Sequence, residues 1–176
     1  MVASVYPTLW LNNVKNLNKR LSLDLIRFSQ TGISRAELAR QLGLTRSAIT
    51  IIVNDLLHEK LVRETESGPT NGGRRPILLE MNPSRGNVFG IDLGATHLGL
   101  VVTDFSARIL SEIEIPLDIK SGPEMCLQMV DQQVHLLLEK SGLTFSNILA
   151  AGMGVPGPVV AEAGMVSAPP IMPGWD

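Results

Sequence analysis

The sequence predicts a mixed α/β protein in two parts: a small helical domain closed by a β-hairpin, then an α/β sheet. Three observations carry this. Residues 34–62, SRAELARQLGLTRSAITIIVNDLLHEKLV, hold two apolar periods of three to four residues, broken at Gly43. Two short apolar stretches, starting at Leu61-Val62 and at Ile77 to Met81 (ILLEM), flank a glycine-rich tip, ESGPTNGGRRP. From residue 88 onward, strand-length apolar runs alternate with glycine turns around one long helical period.

Taken in order, residues 1–15, which include Trp10, show no clear period and read as an N-terminal arm. Asn16 to Ser29 reads as a helix with Leu17, Leu21, Leu25 and Phe28 on one face, widened by Leu23 and Ile26. Ser34 precedes Glu37 by three residues, the spacing of a capping box. The helix it opens places Leu38, Ala39 and Leu42 on one side, and Gly43 suits the left-handed residue that ends a helix. Leu44 returns to the core and Thr45 caps the next helix. There Ile49, Ile52, Val53, Leu56 and Leu57 form the inner stripe, and Arg46, Ser47, Thr50 and Asn54 the outer face.

Those outer side chains cluster at a helix N-terminus and can bond base edges and phosphates, as in a helix-turn-helix. A solvated helical hairpin is the alternative. The strand pair that follows, with Gly73, Arg74 and Arg75 at its tip, makes the expected unit a winged helix-turn-helix of three helices plus a β-wing. Ser34 and Arg35 at the start of the first helix and Thr45 at the turn join the candidate DNA-binding set. A wing arginine can reach phosphates or a minor groove.

Charge divides at the same place. Residues 1–86 hold 12 Lys+Arg against 7 Asp+Glu, whereas residues 87–176 hold 3 against 10. A basic segment joined to an acidic one suggests nucleic-acid contact by the first. Cys126 is the single cysteine, which excludes an intramolecular disulfide and a cysteine-built zinc cluster. It reads as a small hydrophobe in a helix. His58, His97 and His135 are scattered, and no metal site is expected. No apolar run approaches the roughly 18 residues of a membrane span and no leader is read, so no membrane contact and a cytoplasmic location are expected.

The predicted boundaries are an arm at 1–15, the DNA-binding unit at 16–82, a linker at 83–87 and an α/β part at 88–176. In the last part Val88–Asp92, Leu98–Thr103 and Arg108–Ile115 form a meander. Ser121 caps a helix from Pro123 to Lys140, with Pro123 suited to its first position, and Ile148–Val155 is a further strand. The loop Asp92-Leu93-Gly94-Ala95-Thr96 places a carboxylate, a glycine and a hydroxyl at a strand end. Such a loop can approach a phosphate, or serve as a plain hairpin turn.

GGRRP (72–76), DLGAT (92–96), GVPGPV (154–159) and PPIMPGW (169–175), in that order, resemble the ROK family of repressors and sugar kinases. The resemblance covers nearly all of the chain after about residue 15. It implies that residues 88–176 are the first part of an actin/hexokinase-like (ribonuclease H-like) α/β domain. It also implies a phosphate-loop-like role for Asp92, Gly94, Ala95 and Thr96, and sugar-binding roles for Gly154, Pro156, Gly157, Gly174 and Trp175. Kinase members resemble DxGGTK at the first loop, where this chain has Ala95 and His97. The family's catalytic aspartate, zinc segment and second phosphate loop would lie beyond Asp176, so a partial domain with no cofactor and no catalytic residues is expected. The resemblance implies a sequence-specific transcriptional regulator, a repressor of carbohydrate-utilisation genes. Its partners would be double-stranded operator DNA, a sugar or sugar-derivative effector and a second copy of itself. A sugar kinase lacking its catalytic half, and a DNA-binding protein with a dimerisation domain that takes no ligand, are the alternatives.

Overall fold

The computed structural model describes residues 6–66, 76–160, 163, 165–167 and 171–175, with side chains from residue 16 onward. The chain divides into two units, Met1–Arg85 and Gly86–Asp176. Both mix helix with sheet, as the sequence predicts.

In the first unit the order is α1 (Tyr6–Phe28), β1 (Ile33–Ser34), α2 (Arg35–Leu42), α3 (Arg46–His58), β2 (Val62–Glu66) and β3 (Ile77–Met81). The expected arm is helical from Tyr6. Pro7 is tolerated in a first helical turn, where its missing N–H bonds nothing, and helix propagates cheaply from the periodic segment behind it. The buried face of α1 also differs from expectation. Ile26 and Ser22 are fully buried, while Leu17, Leu21 and Phe28 are exposed. Ser22 tolerates burial because its hydroxyl donates to the Asn18 carbonyl at 2.8 Å, one turn back.

Helix α2 begins with half a capping box. The Ser34 hydroxyl accepts from the Glu37 N–H at 3.2 Å, but the Glu37 carboxylate turns to Arg40 and Gln41 instead of reaching back. Gly43 ends the helix at φ 64°, and Thr45 accepts from the Ala48 N–H at 3.2 Å to start α3. Helix α3 ends in a Schellman turn. Lys60 N–H bonds the Leu57 carbonyl and Leu61 N–H the Leu56 carbonyl, with Lys60 itself at φ 58°. The two-residue β1 has no local signal and exists through pairing, Ile33 opposite Leu79, which gives the sheet order β1-β3-β2. Leu38, Ile49, Val53, Leu56 and Leu79 fill the centre of this core.

The second unit runs β4 (Asn87–Leu93), β5 (His97–Asp104), β6 (Ile109–Pro116), α4 (Pro123–Lys140) and β7 (Ile148–Gly154), then the short pair β8 (Val159–Val160) and β9 (Met165–Val166). The sheet order is β6-β5-β4-β7, with β7 parallel to β4 and the other pairs antiparallel. Helix α4 forms the crossover a parallel pair requires. The residue before it is Gly122, with no side-chain cap; Ser121 instead ends a 3-10 turn at Ile119–Ser121. Phe89, Leu93, Leu98, Leu100 and Val102 pack with Cys126, Val130, Leu137 and Leu138. Around Gly90, Asp92, Gly99, Val101, Glu112 and Gly152 the sheet is open and bounds a concavity of about 570 Å³. Among the described residues no helix is long and apolar enough to cross a membrane.

Candidate nucleic-acid interface

The outer face of α3 follows from its inner one. Ile49, Ile52, Val53 and Leu56 are buried, so a 100° step per residue directs Arg46, Ser47, Thr50 and Asn54 outward, and all four are exposed. Ile51 is exposed too, at 57%. The sequence reading passed over Ile51, although the same helical wheel places it beside Ser47 and Asn54. An apolar side chain in a polar row can contact a thymine methyl.

Thr50 donates to the Arg46 carbonyl at 2.8 Å, which leaves the Arg46 guanidinium as the long cationic group at the helix start. Among the described residues Arg46 enters no ion pair. Arg35 differs. It opens α2, pairs with Glu64 of β2 and lies 3.4 Å from the Asn54 amide oxygen. The structure thus brings Arg35 and Asn54 together, one from each helix. Ser34 and Thr45 use their hydroxyls as caps, so their first role here is to fix the two helix starts. Thr45 also lies 3.0 Å from the Ser47 hydroxyl. Between the helices, Ser34, Glu37, Arg40, Thr45 and Arg46 line an open groove of about 630 Å³. Glu37 is held down to about 2 by its bonds from Arg40 and Gln41, and Arg40 is raised by the same pairing. Gly73, Arg74 and Arg75 lie outside the described residues.

In the second unit, the Asp92–Thr96 loop is a tight β4–β5 turn. The Gly94 N–H donates to the His97 carbonyl at 2.9 Å. The His97 ring lies against Gly94 where a Cβ would sit, and its Nε2 is 3.3 Å from Asp92 Oδ2. A Cβ at 94 would displace the His97 ring from this position. The Ala95 and Thr96 carbonyls accept from Ile119 and Leu117, tying the turn to the segment before α4. Gly154 pairs opposite Asp92 at the end of β7, with Pro156 and Gly157 half-buried just after it. Gly174 has φ 78°, and the Trp175 indole N–H donates to the Ile119 carbonyl at 3.4 Å. One group of candidates therefore gathers at Asp92 and Gly154, and another at Ile119 beside Ala95. Among the described residues no cluster of three metal-ligating side chains occurs.

No protein-family model matches the chain. It is similar to the xylose repressor of Caldicellulosiruptor bescii, 30% identical over 153 residues, which are 87% of this chain and 38% of that protein. It is similar also to the xylose repressor of Bacillus subtilis, 30% identical over 156 residues, 89% of this chain and 40% of that one. In fold it matches a crystal structure described as a ROK family transcriptional regulator, a homologue of the E. coli Mlc protein. The TM-score is 0.63 at 22% identity, covering 90% of this chain and 40% of that one. The chain spans about two-fifths of the length of the relatives it matches. In sequence the chain is thus similar to these repressors, and in fold to that ROK family regulator.

Proposed function

We propose that the chain is the DNA-binding part of a transcriptional repressor of carbohydrate-utilisation genes, acting in the cytoplasm as a homodimer and responding to a sugar or sugar derivative. In this reading the first unit is a winged helix-turn-helix, with α3 as recognition helix and β2–β3 as wing. The second unit is the first part of an actin/hexokinase-like domain. The observation that carries it is the exposed row on α3, with Arg46, in no ion pair among the described residues, at its start and Asn54 and Ile51 further along. That row matches what a major groove offers: acceptors, donors and thymine methyls. The names of the relatives support a sugar-linked repressor.

The Asp92–Thr96 turn favours a regulator over a kinase. Its Gly94 N–H is already bonded, and the His97 ring fills the space that a phosphate would need beside the glycine. We assign no cofactor and no catalytic residue to it. Fluorescence anisotropy on operator fragments against scrambled DNA tests the proposal. Arg46→Ala is expected to cost about 1–3 kcal/mol on the operator and far less on scrambled DNA. Equal affinity for the two DNAs, or an unchanged operator affinity for Arg46→Ala, overturns it.

A further inference from the structure

We propose that the outward row of α1 is a self-association surface that pairs, antiparallel, with the same helix of a second copy of this chain. This names a surface for the homodimer included in the proposed function, and its test needs no DNA.

The helix packs on its own unit through Ser22 and Ile26, and Lys19 ties it to Glu59. On the opposite side Leu17, Leu21 and Phe28 are 54%, 40% and 76% exposed. These positions and Asp24 follow a 4-3-4 spacing, the seam of a two-helix coil, and in the sequence the same spacing runs back through Val14 to Trp10. Three large apolar side chains in one row make a patch rather than scattered exposure.

Charge selects the partner and the direction. Among the described residues neither Arg20 nor Asp24 enters an ion pair within the chain. A parallel pairing would set Asp24 against its own copy. An antiparallel pairing, with the two-fold axis crossing between Leu21 and Asp24, sets Leu17 against Phe28 of the other copy and Arg20 against Asp24, each twice. Such a row is complementary to itself, which is what a two-fold interface requires.

Analytical ultracentrifugation of the whole chain across a concentration series tests this. A monomer–dimer equilibrium is expected. Leu21→Arg should weaken it at least about tenfold, with the far-UV spectrum unchanged because the side chain is exposed. Arg20→Asp and Asp24→Arg should each weaken the dimer, and the double variant should restore it. If Leu21→Arg lowers the melting temperature, the charge reversals still give the reading. A chain monomeric up to roughly 100 µM, a dimer indifferent to these variants, or a double variant no better than the single ones overturns the proposal. Failure to bind operator by a chain that still dimerises through α1 would count only against the DNA reading.

Discussion

Glu37 shows how one residue departs from its sequence role. A capping box would have bent its carboxylate back to Ser34; the structure gives it to Arg40 and Gln41. Those donors stabilise the ionised form and hold the group down to about 2. A depressed carboxyl contributes stability that is complete above its ordinary range and fades as pH falls toward its own midpoint. The pair is exposed, so the contribution to folding is small, but the titration is readable. Carbon-detected NMR should place the Glu37 midpoint well below that of the other glutamates, and Arg40→Ala should move it up. Cys126 behaves as its sequence implies: it is buried in α4, and burial together with Asp118 pushes its thiol up.

At the level of elements, much was legible in the sequence. Gly43 between two apolar periods located α2 and α3, and Pro123 located α4, because caps and helical spacing are local signals. The strand β1 was not legible, since two residues carry no period and Ile33 is a strand only by meeting Leu79. The face of α1 was ambiguous because leucines line more than one side of it; Ser22, a polar residue, marks the side that is buried. On α3 the whole exposed row was open to reading, and Ile51 was overlooked only because it is apolar. The loops that hold Gly154 and Trp175 were reached through family motifs, since their placement depends on strand register and on the bond to Ile119, neither of which is local. One element end is strained. Lys60 occupies the left-handed position that closes α3, which costs a side-chain-bearing residue about 1–2 kcal/mol, while glycine brings its own entropy cost of about 0.5–1 kcal/mol. Lys60→Gly should therefore stabilise the chain by roughly 0.5–1 kcal/mol in urea unfolding.

For the molecule as a whole, charge sorts by unit, and part of the positive charge is already committed. Lys19, Arg35, Arg40 and Arg63 pair with Glu59, Glu64, Glu37 and Glu80. The salt dependence of DNA binding should then be set by the unpaired cations. Arg46→Ala is expected to lower the slope of log affinity against log salt by about 1, and Arg40→Ala to leave it nearly unchanged. Titrations between low and moderate salt would check both.

The sheet of the second unit has two ends of different character. At one, β6 carries Glu112 and Glu114, charges that discourage a further strand from joining. At the other, β7 (ILAAGMG) has no charge and no proline, with Leu149 and Met153 exposed. Among the described residues, nothing pairs with its outer edge. An edge of that kind is a template for aggregation. Solutions of this chain should scatter light increasingly with concentration and temperature, and Leu149→Lys should suppress that scattering while leaving the helical signal intact. Solubility is the practical property that this bare edge governs.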